Sequence, residues 1–191
     1  MNFLRIFLPY MLMFPVIALA QNGSAKPVQD SELRACLLAE QEGVKRFNQL
    51  ESRATEIRGT EKLLTERRTA LQEMQRNMDR RTARQSEVDE LNNMVTVFNQ
   101  QTDQLNADRQ QFEQDVNSNR NWMDNNIKPR CEPIRNRPVD ELTAFYACGH
   151  HSALAYVDVP YCNSLPGIDS LKSCVAKAGT RQKALEMCGN R

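Results

Sequence analysis

The chain has 191 residues, with 25 Lys and Arg against 24 Asp and Glu, for a formal net charge of +1. So even a balance excludes wholesale attraction to nucleic acid or to acidic membrane surfaces. Aromatic residues make up only 6% of it, which argues against one large globular core and for an elongated helical shape.

The first predicted element is a secretory leader. Arg5 precedes an apolar run from Ile6 to Leu19, closed by Ala18-Leu19-Ala20 and a polar turn, the three-part pattern of a signal peptide. The run is shorter than the roughly 20 apolar residues of a membrane span and is interrupted by Pro9 and Pro15. Residues 1–20 are therefore expected to be removed, leaving no stable membrane anchor. The mature chain then starts at Gln21, with 21–30 as a flexible lead-in, in a periplasmic or secreted space. All six cysteines, Cys36, Cys131, Cys148, Cys162, Cys174 and Cys188, lie in that mature part. An even count in an exported chain favours three disulfides. No C-x-x-C spacing offers a redox pair or a zinc ribbon.

From 31 to 127 there is no proline, and the only glycines are Gly43 and Gly59. Apolar residues recur every seven positions at Cys36, Leu50, Ile57, Leu64, Leu71 and Met78, with Gly43 holding one place in the series. A second series holds Leu91, Phe98, Leu105 and Phe112, accompanied by Val88, Val95, Val116 and Met123. A sustained seven-residue apolar repeat predicts a coiled coil. Ser86 followed by Asp89 reads as a helix start, so a turn is expected near 82–87, between two arms of about 60 to 75 Å.

Folding the arms about that turn gives facing residues whose numbers sum to between 166 and 169, as in Leu71 with Val95 or Phe98 and Leu64 with Leu105. Cys36 and Cys131 sum to 167, so they are expected to form a disulfide at the open end, just after Pro129 stops the second helix. A single unbroken rod would instead hold these sulfurs far apart. The arms also differ in charge: residues 62–84 carry seven basic and three acidic groups, whereas 87–115 carry seven acids and Arg109 alone.

After Cys131 the texture changes to a proline-rich elbow with Pro133 and Pro138. A helix ending near Cys148, a loop holding Cys162, a helix closed by Gly179 and a last helix capped by Thr180 are predicted. Residues 131–191 thus read as a small helical cap held by two disulfides among Cys148, Cys162, Cys174 and Cys188, in three alternative pairings. The fold expected is all-α: a long antiparallel coiled-coil hairpin over 31–130, followed by this cap.

Both histidines sit in "CGHH", beside Cys148. A free Cys148 thiolate with His150 or His151 would suit copper or zinc, and a thiol nucleophile would need a base and an oxyanion site. A disulfide with solvent-facing imidazoles is the simpler reading, because adjacent histidines seldom converge on one metal. Four arginines, Arg76, Arg80, Arg81 and Arg84, cluster at the far end of the hairpin, where a partner would be met. Met74, Met78 and Met94 fall at seam spacing and read as core fillers, and Trp122 is expected to pack under the cap. The layout loosely resembles exported helical hairpins such as those of envelope chaperones with coiled-coil tentacles and of efflux adaptor proteins. The flanking strand-rich body of the first and half-lipoyl segments of the second are missing, so no residue role follows.

No phosphate loop, HExxH or Ser/His/Asp set occurs. The expectation is an exported, non-enzymatic interaction or scaffold protein without cofactors, whose partner is another envelope protein or a second copy. A holdase chaperone and a Cys/His metal carrier are the alternatives.

Overall fold

The computed structural model describes residues 26–78 and 83–189. The expected leader over 1–20 and the tip residues Arg80 and Arg81 lie outside them. Two long helices, α1 (Asp30–Asn77) and α2 (Gln85–Asn126), run antiparallel and pack along their length. Short helices follow: α3 (Lys128–Cys131), a single 3₁₀ turn over Glu132–Ile134, α4 (Glu141–Ala147), α5 (Pro160–Asn163), α6 (Ile168–Ala178) and α7 (Arg181–Cys188). The described residues contain no strand, and none of their helices is long and apolar enough to cross a membrane.

The seam follows the seven-residue repeat. Leu50, Ile57 and Leu71 are half-buried on α1 and Met78 just beyond its end, as are Val88, Leu91, Val95, Phe98, Phe112, Val116 and Met123 on α2, while Leu64 and Leu105 are buried against each other's arm. Cross-arm contacts keep the expected register. Arg53 pairs with Asp115, Arg67 reaches Gln101, and the Arg109 Nε donates to Glu61 at 2.9 Å. Gly43 keeps its place in the series because α2 comes close there: an added Cβ would stand 2.9 Å from Ile127 Cδ1. Trp122 crosses to the same spot, with the Arg46 guanidinium 4.4 Å over its ring. It therefore packs across the hairpin and not under the cap.

The helix ends on either side of the turn differ from their sequence reading. α1 ends at Asn77 and α2 starts at Gln85, with 79–82 between them outside the described residues. Ser86 lies inside α2 and does not cap it. The start is set by Glu87, whose carboxylate accepts from the Arg84 backbone N–H at 2.9 Å, relieving the positive end of the helix dipole next to an arginine.

Three disulfides join Cys36 to Cys131, Cys148 to Cys162 and Cys174 to Cys188. The first lies at the open end of the hairpin, as the register requires. α3 continues the path of α2 after a break at Ile127, whose carbonyl still accepts from the Cys131 N–H at 2.9 Å. Pro129, which cannot donate to the preceding turn, sits at the start of α3.

The cap is not separate from the hairpin root. Val28, Leu33, Cys36 and Leu37 share one core with Ile134, Ala144, Ala147, Cys148, Val157 and Cys162. A second core joins Leu142, Phe145 and Tyr146 of α4 to Leu171, Cys174 and Ala178 of α6 and Ala184 and Cys188 of α7. Both cores use α4, which explains why every residue from Leu142 to Ala147 is buried. The Asp140 carboxylate caps this helix, accepting from the Thr143 N–H and hydroxyl at 2.8 and 2.7 Å, which satisfies the buried threonine.

Residues 26–29, expected as part of a flexible lead-in, are tied down. Val28 is 2% exposed and its N–H donates to the Pro138 carbonyl at 3.1 Å. Arg137 donates to the carbonyls of Lys26 and Pro27 and takes both carboxylate oxygens of Glu32. That fork holds Glu32 down to a pKa of about 2, chiefly through the Arg137 hydrogen bonds, as bidentate pairing does.

Candidate functional site

The "CGHH" turn is a corner built around Gly149. Its φ of 76° is left-handed, and an added Cβ would stand 2.4 Å from the Ala155 carbonyl oxygen; only glycine fits. Into this corner reaches Arg34 from α1, donating to the carbonyls of Ala147 and Ala155 at 2.9 and 2.8 Å. A guanidinium at the C-terminal end of α4 satisfies orphan carbonyls and complements the dipole.

The Cys148 sulfur is bonded to Cys162, so no thiolate stands beside the histidines. Both imidazoles are half-buried against aromatic rings. His150 stacks on Phe145 at 5.5 Å and lies 5.1 Å from Tyr156, and His151 tilts onto Tyr146 at 4.8 Å. The His151 Nδ1 accepts from the Ala153 N–H at 3.2 Å. Burial pushes both below the ordinary histidine pKa, with the nearby Cys162 backbone partly opposing this for His150. The aromatic neighbours Phe145, Tyr146 and Tyr156 were the available sequence signal for that packing.

Glu40 was missed by sequence reasoning. It follows Cys36 by one helical turn, and its carboxylate lies within 4.8 Å of the Cys36 and Cys131 sulfurs. A disulfide joins those sulfurs, which removes the two thiolates a metal would use. Burial alone raises the Glu40 pKa to about 7.

The tip carries the remaining candidates. Arg76 lies in the last turn of α1 and Arg84 immediately precedes α2; both are exposed. They flank the turn, one from each arm. Toward the base from them, the arms enclose an apolar groove of about 260 Å³ lined by Leu71 and Met74 of α1 and Met94, Val97 and Phe98 of α2, with Arg67 at its edge. Met74 and Val97 are each 39% exposed. Met94 is half-buried as a seam filler should be, whereas Met74 opens to solvent. The Arg68 guanidinium stands 5.8 Å over the Phe98 ring, so basic side chains border the groove.

A stapled root and a rod whose far half keeps an open apolar groove edged by arginines define the arrangement as an all-α disulfide-bonded hairpin. Compared with known protein families, with curated proteins and with solved structures, the chain matches none.

Proposed function

We propose that this chain is an exported, non-enzymatic binding protein of the periplasm or the secreted space. Its hairpin meets another protein along the distal groove while the cap holds the root. The observation that carries this reading is the groove between Leu71, Met74, Met94 and Val97: apolar, partly exposed, bordered by Arg67 and Arg68, and placed toward the tip of a fixed rod. Methionine and arginine are both enriched at protein interfaces, and both occur at this groove. Three disulfides favour an oxidising compartment. Binding is favoured over catalysis because the groups with reactive chemistry are spent on packing: the cysteines in disulfides, the imidazoles in ring stacks.

A photo-crosslinking residue at Met74 or Val97, in the full chain expressed in its own cells, tests this. A discrete adduct is expected from the groove and none from the exposed cap position Lys183. Equal, diffuse labelling from both positions, or none, overturns the reading. The two methionines at the groove also favour a second reading, a holdase that shelters unfolded chains. It requires the purified protein to suppress aggregation of a model client, and loss of that effect in Val97→Asp.

A further inference from the structure

The six cysteines are not equally reachable. Cys36, Cys148, Cys162, Cys174 and Cys188 are buried, whereas Cys131 is half-buried at the end of α3. Thiol–disulfide exchange starts with a thiolate reaching a sulfur, so access selects the bond that reacts. An outside thiolate therefore meets the Cys36–Cys131 bond first, from the Cys131 side. The two cap disulfides present no such sulfur.

The other sulfur has a carboxyl beside it. Glu40 follows Cys36 by four residues on α1, which puts the two side chains on one helix face, and a carboxylate oxygen lies within 4.8 Å of both sulfurs. Among the described residues no hydrogen bond or ion pair satisfies this carboxylate, and burial alone raises its pKa to about 7. The charged groups of the neighbouring turns have partners of their own: Glu42 pairs with Arg46 on α1, Asp124 of α2 with Lys128 of α3, and Arg130 with the Asn126 carbonyl. Glu132 is exposed. A buried carboxyl without a partner costs the fold stability, but its position suits a chemical task. A thiolate released at buried Cys36 would be stranded in apolar surroundings, and a carboxyl proton within reach removes that charge.

We infer that the Cys36–Cys131 disulfide is a lock opened by an outside dithiol, with Cys131 as the sulfur attacked and Glu40 as the proton donor to the departing Cys36 sulfur. A thiolate of the dithiol bonds to the Cys131 Sγ. The S–S bond breaks, its electron pair passes to the Cys36 Sγ, and the Glu40 carboxyl proton follows it. The dithiol's second thiol then loses its proton to water and attacks its neighbour in the mixed disulfide, displacing Cys131 as a thiolate that water protonates. Glu40 recovers its proton from solvent. The dithiol ends oxidised to a disulfide and the hairpin ends reduced to two thiols. The chain is the substrate of this exchange, so the non-enzymatic reading above stands, and the inference does not depend on the distal groove. The other two disulfides join residues within the cap, so opening this bond removes the only disulfide that ties α1 to the end of the second arm.

The disulfide-intact mature chain is exposed to dilute dithiothreitol, quenched in acid and mapped by mass spectrometry. It is expected to lose the Cys36–Cys131 bond about tenfold or more faster than either cap disulfide. Cysteamine, a monothiol, should leave its adduct on Cys131 with Cys36 free. Divided by the reagent's thiolate concentration, the wild-type rate should fall as pH rises through about 7, where Glu40 loses its proton. Glu40→Gln fills the same space with no proton to give, so it should be about tenfold or more slower below that pH and flat across it. A carboxyl that only weakens the root gives the opposite slope, because its ionisation loosens the fold and speeds attack. The same fall is expected with cysteamine, whose ammonium offsets the thiolate charge and so removes repulsion by ionised Glu40. Equal rates for the three disulfides, an adduct on Cys36, a rising profile, a fall that cysteamine abolishes, or a Glu40→Gln rate equal to wild type overturns the inference.

Discussion

Replacing Glu40 by Gln should stabilise the protein, and by an amount that depends on pH. The carboxyl sits against the Cys36–Cys131 disulfide, and its pKa is raised from 4.5 to about 7 by burial alone. Between those two values the folded state holds a proton that the unfolded state has lost, so the Glu40 contribution to stability falls as pH rises through that window. At 1.36 kcal/mol per pKa unit, the full loss is about 3 kcal/mol. Gln mimics the protonated acid at every pH. The variant should therefore match wild type below 4.5 and exceed it by about 3 kcal/mol above 7. Urea unfolding followed by circular dichroism, with disulfides intact, measures both across the range. The comparison isolates Glu40, because other groups act on wild type and variant alike. The histidines, with lowered pKa values, contribute stability that is full above 6.5 and lost as pH falls through their folded values. Glu32, held at about 2, contributes stability that is full above 4.5 and lost as pH falls from there toward 2. A difference between variant and wild type that does not change with pH would refute the claim that this carboxyl is desolvated.

The two helical glycines should respond differently to substitution. Gly59 has nothing within 4 Å of an added Cβ, so Gly59→Ala should raise stability by about 0.5 to 1 kcal/mol in thermal unfolding. At Gly43 the Ile127 methyl must move aside, so Gly43→Ala is expected near neutral, and Gly43→Leu costs about 1 to 3 kcal/mol by overpacking. Cys36→Ser with Cys131→Ser opens a link spanning 95 residues and should lower stability by about 4 to 5 kcal/mol in denaturant titration on the chain-entropy argument. Arg137→Met removes the donors to Lys26, Pro27 and Glu32, so hydrogen exchange at the Val28 amide should accelerate strongly while the α2 amides stay protected.

Much of the fold was legible because coiled-coil geometry is nearly one-dimensional. Once Leu64 and Leu105 were set opposite each other, the register placed Cys36 against Cys131, and a covalent bond occupies that position. Helix ends were less legible, since capping depends on side-chain reach: Ser86 had suitable chemistry, but the Glu87 carboxylate did the work two residues earlier. The pairing of the cap cysteines followed from the burial of α4 between two cores, a tertiary fact that no spacing expressed. Arg34, Arg137 and Glu40 were invisible for the same reason. Each acts on groups brought near by folding, over 113 residues in the case of Arg34 and Ala147. The groove at Met74 and Val97 was hidden by its own regularity: residues at seam spacing read as filled core, and nothing in the pattern said that two helices leave it open.

The root of the hairpin has a mechanical meaning. A shaft of 48 residues is a lever arm of about 70 Å, clamped at one end only. Because the Cys36–Cys131 crosslink ties the arms at the clamped end, a sideways push at the tip bends the shaft and brings its largest moment to that bond and the core shared with α4. The push reaches the cap as torque.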